Sequence, residues 1–547
     1  MLINEDIERK REYMVPDLIL KNGEIFTMNE QKDVYDSISI KDGRVLELGE
    51  TKMLERKADK QTTIIDLNGK TVLPGFIDAH QHMVSFGFNL LHVNCQLDSI
   101  EKVIRAIEER ARQVKPDEWI IGFGFDEAQF IEERTLTKED FSHIQNPVYI
   151  TRFCLHTAVV NERALELAQI TVREHQNLSE EIDMDESGMT GILRESAMDL
   201  VRRVIPPYTE AQIKEAVTLA SKQYVKEGIT SVHEAGMGFI TDSLKEFFVL
   251  RDMSNNGELD VRVYGMILEK FWKEMKEKNL LKKEVENDFF SLGSIKLFAD
   301  GTLSSQTAAM LDGYAPPIEG KGLFVYEKKE LEEKVLRAHE EGKQIAIHAI
   351  GDAAVDLVVT AYEKAIKATP RKDHRHRIEH CGISNDYLLE RIKKLNIAVV
   401  PHPGIVYFAG DVYKRVLKED ALQGLYTMKK FMEYDLQPAL SSDCPVLPSS
   451  PLYSIYAVMT RETSSGDVLG EDQCISLYEA VTMYTKNAAT AAFNEENQGS
   501  LCVGKFADMV ILPEKFMHFT PHQVKQTEVE MTIVDGLIKY DKLAKKR

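Results

Sequence analysis

The sequence predicts an α/β protein: a TIM-type (β/α)8 barrel joined to a small, discontinuous β-sandwich domain built from both chain ends. Three observations point to it. Short apolar runs alternate with helical stretches through the middle of the chain, and eight such runs can be counted. Hairpin-like β patterns carrying Asn-Gly or Asp-Gly turns lie near both ends. At 547 residues the chain exceeds one ordinary compact domain, so a barrel with a smaller companion accommodates it.

From Asp17 to Gly69 short β-type runs alternate with turns: DLILKNGEIFTMN, then SISIKDGRVLELG, with Asn22-Gly23 and Asp42-Gly43 as hairpin signals. A matching set near the other end runs from Gly499 through KFADMVIL to VEMTIVDGLIKYD, with a turn at Asp535-Gly536. Residues 15–73 and 491–547 are therefore expected to form one composite β domain, with the barrel, 74–490, inserted between them. The eight barrel runs are TVLPGFIDAH, ITSVHEAG, VRVYGMIL, SIKLFADG, QIAIHAIGD, RIEHC, IAVVPH and PALSSDC. Helical stretches such as ELEEKVLRAHEEG and DYLLERIKKLN fall between them, and ISLYEAVTMYTKNAATAAF follows the last. Two further strand-like runs, WIIGFGFDE and PVYITRF, and the acidic SEEIDMDESG lie between the first two; residues 95–205 read as an insertion near the barrel mouth.

Composition excludes several classes of function. Hydrophobic residues make up 43% and charged residues 29%, and no stretch approaches the roughly 20 uncharged apolar residues of a membrane span, so no membrane partner is expected. A formal charge of -20 disfavours phosphate backbones, so nucleic acid is not expected as a partner. The opening MLINEDIERKREYM lacks an apolar core and does not read as a secretory signal. The six cysteines are scattered with no CxxC, as suits free thiols in a reducing compartment; a cytoplasmic location is expected.

In an α/β barrel, catalytic groups stand where strands end, because the βα loops open there while the interior is packed. His80 and His82 close the first run, spaced so that both imidazoles share one face of an extended segment and can bind one ion. His348 and His380 close the fifth and sixth runs, Asp443 closes the eighth, and Lys296 lies in the fourth between Ile295 and Leu297. With 15 histidines in the chain, one His-x-His is unremarkable. His374-Arg375-His376 has the same spacing, yet sits in the charged stretch RKDHRHR and reads as a solvated loop. The joint pattern, at the ends of the first, fifth, sixth and eighth runs in order, is what points to a metal site.

Together LPGFIDAHQH, the lysine of SIKLFADGT, the histidines of IAIHAIGD and RIEHC, the aspartate of SSDCPV and the tail GSLCVGKFADMVIL resemble the amidohydrolase superfamily. KLFADGTLSSQTA, HAIGDAA and RIEHC more narrowly resemble the amidohydrolase family 3 branch that includes N-substituted formamide deformylases. The resemblance covers nearly the whole chain beyond residue 15. It implies His80 and His82 as ligands of a more buried metal, His348 and His380 of a more exposed one, and Asp443 as ligand and proton acceptor. It also implies Lys296 as a residue that CO₂ can carboxylate, giving a carbamate that bridges two metals; otherwise Lys296 is a cation paired with an acid such as Asp300. The number of metals, one or two, is open. Zinc best fits the imidazole and carboxylate set, other divalent ions being compatible.

Such an ion lowers the pKa of water from about 15.7 towards about 7 and polarises a carbonyl, while Asp443 passes a proton to the departing nitrogen. The implied reaction is metal-dependent hydrolysis of a C–N bond in a small amide or N-substituted formamide. The alternatives are a deaminase, a cyclic amide hydrolase or an ester hydrolase on the same site, and a non-catalytic barrel that serves as an assembly module. The oligomeric state is open, a homodimer being compatible. His156, in FCLHTAVVN, matches a family position that faces substrate, or else is structural. His233 and Glu234 could orient a ligand or simply pack, and Asp300 and Asp352 could orient ligands or cap helices. Gly301 and Gly351 suit tight turns in the βα loops.

Overall fold

A computed structural model describes residues 14–152, 157–171, 181–186, 188–281 and 286–543. His156 and Cys154 lie outside the described residues; the five described cysteines are free thiols. No helix among the described residues is long and apolar enough to cross a membrane. The chain divides into two compact units, residues 84–219 and the remainder.

The larger unit contains the barrel, a parallel sheet of seven strands in the order of the chain: β1 (Phe76–Gln81), β2 (Ile229–Met237), β3 (Arg262–Leu268), β4 (Phe290–Phe298), β5 (Ile345–Ala349), β6 (Arg377–His380) and β7 (Ala398–Val400). Every residue of β1, β2, β5 and β6 is buried, as expected of strands covered on both faces. Helices return the chain between strands: Lys328–Glu340 before β5, Asp352–Ala368 before β6 and Asp386–Lys394 before β7.

The eighth expected run, around Ala439 to Cys444, forms no regular strand, yet it closes the barrel. Ala439 N donates to Val399 O on β7 at 3.1 Å, and Ala79 N on β1 donates to Leu440 O at 3.2 Å. Asp443 N then donates to His80 O at 2.9 Å and His82 N to Cys444 O at 2.7 Å. Asp78 reinforces the join, accepting from His80 N at 3.2 Å and Ser442 N at 3.1 Å. Ladder pairing is irregular here because Leu440 N turns away to Met483 O, at 3.2 Å, in the π-helical turn Met483–Asn487.

The first expected run is two strands in two sheets. Lys70–Pro74 belongs to a six-stranded sheet with Glu24–Phe26, Val34–Tyr35, Met509–Glu514, Met531–Val534 and Leu537–Asp541, whereas Phe76–Gln81 is β1. Gly75 joins them where a Cβ would come within 2.2 Å of the Thr230 side chain. A four-stranded sheet of Leu18–Lys21, Ser37–Lys41, Arg44–Gly49 and Thr63–Asp66 faces a shared apolar core that includes Leu20, Ile40, Val72, Met509 and Ile533. Two turn expectations are met: Asp42-Gly43 and Asp535-Gly536 have positive φ at both residues and join antiparallel neighbours. Asn22-Gly23 does not make a hairpin. Only Asn22 has positive φ, and the strands on either side of the pair enter different sheets.

The unit of residues 84–219 has its own sheet of six strands: Ile182–Asp185, Gly188–Arg194, Thr157–Val160, Val148–Arg152, Ile120–Phe125 and Val93–Asn94, in that spatial order. One apolar cluster, including Val103, Phe141 and Ile150, and another, including Leu165, Leu193 and Met198, supply its core.

Candidate metal centre

His80 ends β1, and its neighbours converge from the ends of β4, β5, β6 and β7 and from the closing segment. Lys296 Nζ lies 3.5 Å from His80 Nε2. Asp443 Oδ1 lies 3.5 Å from His80 Nε2 and 3.4 Å from His82 Nε2. The His80 ring is 5.5 Å from those of His82 and His380, and His348 is 4.3 Å from His380, centroid to centroid. All six residues line one cavity of about 330 Å³, with Phe298, Ile405, Val446 and Leu447 among its apolar walls. His380 and Asp443 adopt left-handed backbone, φ 69° and 57°, a conformation that costs a non-glycine residue about 1–2 kcal/mol and is concentrated at functional sites.

Two residues join the cluster that the sequence reading does not single out. His402, just after β7, has its ring 4.5 Å from His80 and 4.0 Å from His380. It stands at a strand end like the others, so the same positional test reaches it. Glu379 is fully buried and bonds His80 Nδ1 on one side and the guanidinium of Arg377 on the other, Nε to Oε1 at 2.7 Å and Nη2 to Oε2 at 3.0 Å. Arg377 is anchored in turn on Ala79 O at 2.6 Å.

The donor set fits a divalent ion. Two groups, His80 with His380 and His402, and His80 with His82 and Asp443, each offer ligand atoms within 4.8 Å of one another. His82 Nδ1 and His402 Nε2 are buried without a hydrogen-bond partner, which leaves nitrogen donors available in a place water hardly reaches. The imidazoles of His80, His348, His380 and His402 are held neutral, as ligands must be. Burial, with the Lys296 cation next in size, pushes His80 well below its ordinary pKa and His348 down to about 4. Burial likewise lowers His380 strongly and His402 to about 4. Burial brings the Lys296 ammonium down to about 8 against the pull of Glu379 and Asp443. For Asp443 burial acts upward, but the hydrogen bond from His82 and the charges around it prevail and keep the carboxylate ionised.

The other expectations divide. Asp300 does not pair with Lys296; it accepts from Ala309 N, Ile350 N and Gly351 N at 2.9–3.0 Å, and thereby ties the loops after β4 and β5 together. Asp352 opens its helix and accepts from Leu311 N at 2.8 Å and Ala353 N at 2.9 Å. Glu234 accepts from Met83 N, while His233 Nδ1 meets Ala79 O at 3.1 Å. His374 and His376 are not solvated: both are buried, with His376 bonded to His339 at 2.8 Å, because a helix outside the charged stretch covers them.

A model of the amidohydrolase family matches residues 63–540. N-substituted formamide deformylase of Arthrobacter pascens is 27% identical, over 96% of this chain and 98% of that protein. Protein LONG AFTER FAR-RED 3 of Arabidopsis thaliana is 30% identical, over 91% of this chain and 87% of that protein. Among solved structures, an uncharacterized metal-dependent hydrolase from Pyrococcus furiosus is 28% identical with a TM-score of 0.76, covering 91% of this chain and 99% of its own.

Proposed function

This chain belongs to the amidohydrolase family, and from that premise we propose that it hydrolyses a C–N bond in a small amide or N-substituted formamide. The observation that carries the reading is the sharing of His80 between two donor groups, one all imidazole and one including Asp443, at the floor of a cavity. The ligands we assign are His80, His82, His348, His380 and Asp443, and Lys296, once carboxylated, would add an oxygen donor for one or two zinc ions. Once its ammonium proton has left, Lys296 would add to CO₂ through its lone pair and release a second proton, so that a buried cation becomes an anionic oxygen donor.

Bound zinc would acidify water and polarise the scissile carbonyl. The chain's own residues do the rest. The Asp443 carboxylate, beside His80 and His82, accepts the proton of the attacking water and returns it to the departing nitrogen, which leaves poorly as an anion. Phe298, Ile405, Val446 and Leu447 hold the substrate's apolar part and limit bulk water around the reacting carbon. Deamination or ester hydrolysis on the same centre differs only in the electrophile.

The deciding experiment measures zinc in the purified protein and assays N-formyl, N-acyl and cyclic amides, ring amidines and esters before and after chelation. Stoichiometric zinc and chelator-sensitive release of amine from a formyl or acyl amide are expected. Absence of bound metal, or hydrolysis indifferent to chelation, overturns the proposal and favours an assembly role.

A further inference from the structure

We propose that Phe239 is a specificity residue that receives the amine half of the substrate, and that this half is an uncharged apolar group, best a flat aromatic one; this rests on the hydrolytic reading above. Phe239 stands two residues beyond β2, and the residue is 56% exposed. Its ring lies 5.7 Å from that of His82, at an interplanar angle of 32°, and 6.3 Å from Phe298, which in turn is 5.6 Å from His348. Exposure alone says little, since single apolar residues are common on surfaces. The anchoring of the loop says more. Glu246 is fully buried and accepts from Gly238 N at 2.8 Å, Ile240 N at 3.0 Å and Thr241 N at 2.8 Å. One carboxylate therefore pins the backbone on both sides of Phe239. Gly238, at φ 95°, is closed in as well, because a Cβ there would come within 2.5 Å of the Phe271 ring. A ring fixed at the rim and more than half exposed contributes little to the core, whereas a rigid aromatic surface binds an apolar group with little ordering cost.

Which half of the substrate meets the ring follows from the proton. Asp443, assigned to protonate the departing nitrogen, lies 3.4 Å from His82 Nε2, so that nitrogen sits on the His82 side of the centre. Its substituent then runs out past Phe239. A second apolar residue adjoins the same pair: Val446, 64% exposed, lines the cavity, and its N–H donates to Asp443 O at 2.9 Å. Among the described residues of the cavity wall, Lys296 and Asp443 are the charged ones, and both are assigned to the metal centre. A charged substituent would lose hydration there with no counter-ion in return. An unsubstituted amide would leave the ring idle.

The test measures kcat/KM of the full-length, metal-loaded protein on formamides and acetamides whose nitrogen carries hydrogen, methyl, benzyl or carboxymethyl. The benzyl amide is expected to exceed the methyl amide at least about 10-fold and the carboxymethyl amide at least about 100-fold, within the range for filling an apolar subsite. In Phe239→Ala the benzyl-to-methyl ratio should fall at least about 10-fold, and in Phe239→Tyr, which keeps the ring, it should stay within about threefold of the parent. Thermal melts and metal content are measured for each variant. A ratio that Phe239→Ala leaves unmoved, or a parent that prefers the carboxymethyl or the unsubstituted amide, overturns the subsite, while chelator-sensitive hydrolysis in the same series keeps the metal reading intact. A folded Phe239→Ala protein that loses its metal makes the ring a support for His82 and likewise overturns the assignment. Hydrolysis of neither series ends both readings.

Discussion

Glu379 holds the Nδ1 of His80 from behind, and it does so while paired to Arg377 in a pocket where all three side chains are buried. This chain of ion, hydrogen bond and imidazole ties the orientation of a proposed ligand to a salt bridge wholly inside the barrel. Glu379→Gln keeps the shape but removes the charge, so His80 loses its strongest orienting partner and Arg377 is left uncompensated. Metal affinity is expected to fall about 10- to 100-fold, and stability by about 3–5 kcal/mol, the range for breaking a buried pair. Chelator competition reads the first and urea unfolding of the stripped protein the second; unchanged affinity would make Glu379 purely structural.

Asp443→Asn removes the proposed proton acceptor while leaving a carbonyl oxygen near His82. The variant is expected to retain much of its metal yet to turn over at least about 100-fold more slowly, as for loss of a general base. Metal analysis and kcat on the best amide substrate check it. Near-normal kcat would remove Asp443 from that role.

Much of this site is legible in the sequence because barrel geometry converts position in the chain into position in space. His80, His348 and His380 are found by asking what stands at a strand end, and His402 answers the same question at β7. Glu379 is invisible to that test: its partner is 299 residues away, and only the folded barrel shows that it faces His80. The charged stretch around His374 misleads for a similar reason, since the helix Lys328–Glu340 that buries it comes from elsewhere in the chain. Asn22-Gly23 carries a hairpin signal, but the next strand, Glu24–Phe26, pairs with Lys70–Pro74, which on its other side pairs with Met509–Glu514 from the far end of the chain, a partnership that local sequence does not encode.

Arg262 on β3 clamps the C-terminal β strands to the barrel. It meets Asp508 through Nε at 2.8 Å and Nη2 at 3.0 Å and Asp535 at 3.0 Å, with its guanidinium 3.6 Å from the Phe506 ring centroid. Arg262→Met strands a buried carboxylate and is expected to cost about 3–5 kcal/mol, whereas Arg262→Met with Asp508→Asn should recover more than half of that. Urea unfolding of both variants tests the pair; equal losses would show that packing of the arginine, not its charge, matters.

The buried histidines outside the centre make the fold sensitive to acid. His376 Nδ1 accepts from Ile345 N at 3.1 Å, its Nε2 meets His339 Nδ1 at 2.8 Å, and His339 Nε2 meets Thr369 O at 2.7 Å, so each ring is spoken for in its neutral form. His374 accepts from His376 N at 3.0 Å, and burial lowers its pKa to about 4. The unfolded chain takes up this proton near pH 6.5, well above the folded chain. The unfolded state therefore binds more protons between these values, and stability is full above about pH 6.5 and lost as pH falls towards 4. Each such histidine steepens the loss by about 1.4 kcal/mol per pH unit. His374→Asn should reduce the slope by that amount between pH 6 and 4.5 in urea unfolding of the stripped protein, the histidines of the centre contributing equally to both proteins and cancelling. Identical slopes would mean that His374 already carries its proton in the folded chain.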